Sequence, residues 1–270
     1  MGISSIVILI IFGLLGGFLS GLLGVGGGIV FVPVISSVLV GLGIEDPDLA
    51  RYILANSFAA TFFAGAISSY KQYKLKSFYP KPILLVSLLA IPCSLVLTTF
   101  IKNGNWYSKD SFSIFFIVLL LFMLYRFIRS TQAGKLEIKD IKPYKFPLVG
   151  FFTGIISALS GLGGGIIMVP MFTQYAKLNI EKAASISIGV IPIMMVPMII
   201  SYGWDSPILP FSENQIGYLL PEVFIPLVAG LLFTAPFGVS VAKKSSPKFL
   251  KIIFASLIVI VITKTIVSTI

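Results

Sequence analysis

The sequence predicts an all-α polytopic membrane protein built from two inverted repeats of about five helical segments each. Three observations carry this. Hydrophobic residues make up 57% of the chain and charged residues 11%, against about 25% charged in an ordinary soluble domain. One glycine-rich stretch occurs twice. The charged loops between apolar runs fall into two groups, basic and acidic. The net charge of +10 belongs to those loops and does not suggest nucleic acid.

The repeated stretch is Gly24-Val25-Gly26-Gly27-Gly28-Ile29-Val30-Phe31-Val32-Pro33, with its copy at Gly161-Leu162-Gly163-Gly164-Gly165-Ile166-Ile167-Met168-Val169-Pro170, 137 residues later. From 13–33 against 150–170, 11 of 21 positions are identical. Such self-similarity is read as a duplication. Consecutive glycines do not belong in a helix interior, where each costs about 1 kcal/mol relative to Ala. They let the chain turn sharply and leave its amides open. The Val-Pro that follows predicts an extended valine and a proline in the first turn of a new helix. Each copy therefore reads as helix, glycine break, helix, and these two broken hairpins open the two halves.

The first half covers 1–129. It holds apolar runs at 3–23, about 29–43, 52–69, 82–101 and 111–128. Glu45, Asp46 and Asp48 make the 44–51 loop acidic, and Lys71, Lys74, Lys76 and Lys81 make the 70–81 loop basic. A polar linker, 130–146, follows. The second half, 147–270, holds runs at 147–160, about 166–176, 183–202 and 219–242, and a last run to the end. Its 203–217 loop carries Asp205 and Glu213 without a basic residue, and 243–251 carries four lysines. The start of the chain lacks the basic segment of a cleavable signal.

Basic loops face the cytoplasm. If each glycine stretch crossed once, the acidic 203–217 loop would lie inside. If each is a hairpin, every loop falls on the side its charge prefers, and the halves are inverted. Inverted repeats are a common transporter architecture, with the substrate near the midplane. The 147–160 arm spans only about 21 Å against a hydrocarbon core of about 30 Å. The hairpins are therefore expected to turn within the membrane and to meet.

Open amides ahead of a helix attract anions. The candidate site is Gly26, Gly27, Gly28, Gly163, Gly164 and Gly165, with Asn56, Ser57, Ser185 and Ser187 from the following spans. Gly13, Gly17 and Gly21, with Gly150, Gly154 and Ala158, have the spacing of close helix packing instead. Neither nucleotide motif fits, because Ile29 and Ile166 stand where a P-loop needs Lys. The chain has no histidine and one cysteine, Cys93, so no metal site and no cofactor is expected. No buried carboxylate relay is evident, and Glu222 reads as an outer-interface residue. Nothing resembles a nucleophile and its base, so an enzyme is not expected.

The paired GxGGG-x-x-x-V-P stretches, the two halves and the basic central loop resemble the sulfite exporter TauE/SafE family. The resemblance implies export of sulfite or an organosulfonate across the cytoplasmic membrane. Family members often carry Ala-x-Gly-Thr-Ser-Leu in the span after each break. Here Ile53-Leu54-Ala55-Asn56-Ser57-Phe58 and Ala183-Ala184-Ser185-Ile186-Ser187-Ile188 keep only the serine. The expected partners are a small anion and the lipid bilayer, with a homodimer left open. A passive anion channel and a membrane assembly protein without transport are the alternatives.

Overall fold

The computed structural model describes residues 2–44, 48–104, 106–129, 138, 141–207 and 210–269. The acidic Glu45 and Asp46, and the linker residues 130–137, 139 and 140, lie outside the described residues. Every named element is helical. The first half contributes α1 (Ile3–Leu23), α2 (Gly28–Gly41), α3 (Leu49–Lys74), α4 (Pro80–Asn103) and α5 (Lys109–Arg129). The second contributes α6 (Lys145–Ser160), α7 (Gly165–Pro170), α8 (Ile180–Gly203), α9 (Pro221–Lys244) and α10 (Pro247–Thr269). A π turn, Met171–Tyr175, extends α7. α1, α3, α4, α8 and α9 are long and apolar enough to cross a membrane. α4 and α9 turn Leu84, Leu88, Phe233 and Phe237 outward, an apolar exterior suited to lipid and not to water.

The packing respects the duplication. α1 lies on α9 and α6 on α4; α3 packs on α9 and α8 on α4; α3 also packs on α8, and α5 on α10. Exchanging the halves maps each of these contacts onto another or onto itself. α3 and α8 are the most buried of the five long helices. They run antiparallel, Gly65 lying against Ile191 and Phe58 against Tyr202.

The outer pairs run parallel and are closed by glycine. Gly13, Gly17 and Gly21 meet Leu227, Leu231 and Ala235 in the same order, and a Cβ on Gly17 would stand 2.6 Å from Leu231 Cα. Gly150 and Gly154 meet the carbonyls of Val86 and Ala90. Without large side chains, backbones approach closely enough for dispersion to replace the missing hydrophobic drive.

Three local expectations need correction. Pro33 and Pro170 are the sixth residues of α2 and α7, inside the helix and not in its first turn, and Val32 and Val169 are helical. The helices start at Gly28 and Gly165, directly off a left-handed glycine. The 166–176 run is not one α-helix. It becomes a π turn after Pro170, whereas α2 continues as an α-helix past the equivalent Pro33, and Thr173 Oγ1 donates to the Val169 carbonyl at 3.0 Å. α3 and α8 also begin three residues before 52 and 183. Asn56, Ser57, Ser185 and Ser187 thus sit one to two turns inside their helices.

Gly150→Ala is expected to destabilise the protein by about 1–3 kcal/mol, because the new methyl meets the Val86 carbonyl. Gly41→Ala, at the end of α2 with nothing within 4 Å, should gain up to about 1 kcal/mol. Thermal unfolding of both variants, followed by circular dichroism, checks this; equal shifts would refute close backbone packing of α6 on α4.

Candidate functional site

Each position of the glycine motif has its own physical reason. Gly24, Gly26 and Gly27 have φ of 76°, 80° and 76°, and Gly161, Gly163 and Gly164 have φ of 72°, 72° and 74°. Only glycine takes this left-handed conformation at little cost. Gly24 closes α1 by donating to the Ser20 carbonyl at 2.9 Å, and Gly161 closes α6 on Ser157 at 3.0 Å. Gly28 and Gly165 are helical and needed for another reason. A Cβ on Gly28 would lie 2.6 Å from Leu162 Cα, and one on Gly165 the same distance from the Gly24 carbonyl and from Val25 Cα. The two breaks are therefore in backbone contact.

A reciprocal pair of hydrogen bonds locks them. Ser57 on α3 donates to the Gly161 carbonyl at 2.7 Å, and Ser187 on α8 donates to the Gly24 carbonyl at 2.6 Å. Both serines are buried. Each half thus satisfies the carbonyl that opens the other half's break.

The amides are left over. Among the described residues, no hydrogen-bond acceptor meets the N–H groups of Gly26, Gly27, Gly28 and Ile29, or those of Gly163, Gly164, Gly165 and Ile166. All eight residues are buried. An unpaired buried amide costs about 1–3 kcal/mol, and a run of them is a nest for an anion. The side chains nearest these glycines are uncharged. The Thr61 and Ile191 side chains, one from each central helix, both abut Gly26 and Gly163. Thr61 is fully buried and its hydroxyl has no partner, as with Ser20, Thr153 and Ser157 near the breaks.

The structure thus gathers the six candidate glycines with Ser57 and Ser187. Asn56 and Ser185 are engaged elsewhere. Asn56 Nδ2 donates to the Tyr52 and Tyr218 carbonyls at 2.8 and 3.1 Å, and its Oδ1 accepts from Leu220 N at 2.8 Å. Ser185 Oγ donates to the Ser77 carbonyl. These two contacts correspond across the halves. Ser77 lies three residues before Pro80, the start of α4, and Tyr218 three before Pro221, the start of α9. Each follows a left-handed residue, Lys76 at φ 55° and Gly217 at φ 58°. Each also donates back to the preceding helix, Ser77 N to Gln72 O at 3.0 Å and Tyr218 N to Tyr202 O at 3.1 Å. Lys243 adds bonds to the Leu75 carbonyl and to Ser77 Oγ.

Sequence reasoning missed the ion pair above Asn56. Arg51 Nη1 lies 2.8 Å from Asp48 Oδ1 and 3.3 Å from the Tyr218 hydroxyl, which itself donates to Asp48 at 3.0 Å. Burial pushes the Tyr218 phenol up to about 12, against the lowering effect of Arg51. The available signal is Arg51 standing three residues after Asp48 at the edge of an apolar run.

A family profile described as "Sulfite exporter TauE/SafE" matches residues 9–265. A probable membrane transporter protein of Methanocaldococcus jannaschii is 28% identical over 258 residues, 93% of this chain and 91% of its own. A probable membrane transporter protein of Haemophilus influenzae is 25% identical, covering 95% of this chain and 96% of its own. The probable membrane transporter protein YunE of Bacillus subtilis is 22% identical, again over 95% and 96%. The glycine breaks, Ser57, Ser187 and both central helices all fall inside the matched span, and the chain belongs to the sulfite exporter TauE/SafE family of membrane proteins.

Proposed function

We propose that this chain exports a small anion, sulfite or an organosulfonate, across the cytoplasmic membrane by alternating access. The observation that carries the reading is the pair of glycine breaks in contact, with eight buried amides unpaired and the Gly24 and Gly161 carbonyls taken by Ser187 and Ser57. Amides favour an anion and repel a cation. Ser57 and Ser187 position the breaks, their single O–H groups being given to the Gly161 and Gly24 carbonyls, while the unpartnered Thr61 hydroxyl can donate. Asn56 and Ser185 act as clasps and not as ligands.

The halves 1–129 and 147–270, joined by the cytoplasmic loop 130–146, are inverted repeats in this reading. The antiparallel crossing of the corresponding helices α3 and α8 supports it. So do the parallel pairs α1 with α9 and α4 with α6, since each joins elements of opposite rank in their halves. Loops 70–81 and 243–251 then face the cytoplasm and 203–217 faces outward. The two clasped turns, Lys76-Ser77 and Gly217-Tyr218, become the inner and outer gates. Both are clasped together here, which disfavours a continuous channel. Release of one at a time exposes the breaks to one side.

Three experiments test this. Cysteines at Lys74 and Glu213, in a Cys93→Ser background, should label from opposite sides of the membrane; labelling of both from one side defeats the inverted arrangement. Gly27→Ala and Gly164→Ala put a φ penalty at the amide nest and a methyl against Phe31 and Thr153 behind it, and in folded protein each should cut liposome flux of sulfite ten- to a hundredfold by disturbing the charge-assisted hydrogen bonds. Unchanged flux and binding would mean that the glycines only shape the turn. Asn56→Ala leaves the Tyr218 carbonyl and Leu220 amide unpaired, so it should lower stability by about 1–3 kcal/mol and raise outward accessibility, with little change in anion affinity. A loss of affinity with the outer face still closed would make Asn56 a ligand.

A further inference from the structure

Resting on the transport reading, we propose that one stripe of α3, Thr61, Ser68 and Gln72, is the anion's route between the glycine breaks and the Lys76-Ser77 turn, and that Ser68 and Gln72 form a second anion site along it. Helix geometry makes the stripe. Positions 61, 65, 68 and 72 are four, three and four residues apart and share one face. Thr61 abuts both breaks through its methyl, at Gly26 and Gly163, and Gly65 lets α8 approach at Ile191 and Pro192. Gln72 reaches the turn, since its carbonyl accepts from Ser77 N at 3.0 Å. From Thr61 to Gln72 is about 16 Å at 1.5 Å per residue, about half of a hydrocarbon core. The three polar side chains are buried, and Thr61 Oγ1, Ser68 Oγ and Gln72 Oε1 have no hydrogen-bond partner. A helical hydroxyl commonly satisfies itself on the carbonyl one turn back, as Ser240 does on Pro236 at 3.1 Å. Thr61 and Ser68 do not.

The equivalent stripe on α8 shows that packing does not demand polarity at these places. The offset of 130 that relates Ser57 to Ser187 takes Thr61, Gly65, Ser68 and Gln72 to Ile191, Met195, Met198 and Tyr202. The gate turns fix the same register, because the Tyr202 carbonyl accepts from Tyr218 N as the Gln72 carbonyl does from Ser77 N. Ile191, Met195 and Met198 are fully buried, so the fold accepts apolar side chains where α3 carries a threonine and a serine. Toward the Gly217-Tyr218 turn the breaks are thus stopped by apolar side chains, and toward the Lys76-Ser77 turn they continue into open polar groups. Unpaired buried polar groups call for an occupant. Hydroxyls and a carboxamide can donate, and the route leads to an amide nest that repels cations, so the occupant is an anion. Uncharged donors hold it weakly enough to pass it on.

The test reads thiol access and needs neither flux nor sidedness. Ser68→Cys, Met198→Cys and Ala59→Cys are made singly in a Cys93→Ser background, Ala59 being buried on the opposite face of α3. Purified full-length protein in detergent is reacted with a methanethiosulfonate bearing a sulfonate and with one bearing a trimethylammonium, and rates are normalised to a free thiol. A thiol shut in apolar surroundings stays protonated and inert. Ser68→Cys should react with the sulfonate reagent at least tenfold faster than the other two variants, and at least tenfold faster than with the cationic reagent. Adding Ser185→Ala, which frees the Ser77 carbonyl, should speed it at least threefold further, and adding Asn56→Ala should not. Ser68→Ala, which removes an unpaired hydroxyl, should raise the melting temperature by about 2–4 °C. A Ser68→Cys rate no higher than that of Met198→Cys, equal rates with both reagents, acceleration by Asn56→Ala alone, or a lower melting temperature for Ser68→Ala would each overturn the proposal. Failure of the unmodified protein to carry sulfite, with labelling as expected, would instead sink the choice of substrate and leave the route standing.

Discussion

Backbone at membrane depth has no water to turn to, so every interrupted helix must find its hydrogen-bond partners inside the protein. The rest of this structure depends on how the two glycine breaks meet that demand. Each break frees carbonyls from the helix it ends and amides from the helix it begins. The carbonyls of Gly24 and Gly161 are answered across the halves by Ser187 and Ser57. Neither half can satisfy its own break, so neither is a complete structure alone. The amides receive no such answer. The open amides offer an anion hydrogen-bond donors without a cationic side chain, which a desolvated Lys or Arg would supply only at a large desolvation cost.

The duplication has been kept in the backbone and relaxed in the side chains. Ser57 and Ser187 hold equivalent roles, and so do the turns at Lys76 and Gly217. Thr61 and Ile191 both abut the breaks, the Thr61 methyl being the nearest atom to Gly26 and Gly163, so equivalent positions carry a hydroxyl-bearing and a purely apolar side chain. The Gly217-Tyr218 turn is held by two Asn56 hydrogen bonds and rests under the Asp48–Arg51–Tyr218 cluster, whereas the Lys76-Ser77 turn is held by Ser185 and Lys243. Unequal clasps on equivalent turns give the two faces of the protein different opening costs.

The glycine motif and the helix-packing glycines are legible in the sequence because backbone geometry tolerates no other residue at those places. The meeting of the two breaks follows from short arms read against bilayer thickness. The side-chain clasps are not legible. The offset between halves is 137 at the breaks, 130 at Ser57 and Ser187, and 141 at the prolines that start α4 and α9. A single alignment register therefore hides the match of Lys76 with Gly217. Thr61 is lost for the same reason, since its counterpart is Ile191. Arg51 is grouped with an acidic loop because α3 starts three residues before its apolar run. The prolines mislead because a proline at the sixth helical position loses one hydrogen bond and is accommodated in both halves without ending the helix there.

The parallel glycine seams have a consequence in time. α1 finds its main partner only in α9, which begins about 200 residues later. At a synthesis rate of about 5–20 residues per second, that is a wait of about 10–40 s. During it, the row Gly13, Gly17 and Gly21 has no matching surface in its own half. α4 waits a much shorter interval for α6. The half that is made first is therefore assembled last, and its glycine face must be stored in lipid or held by the insertion machinery until the second half arrives.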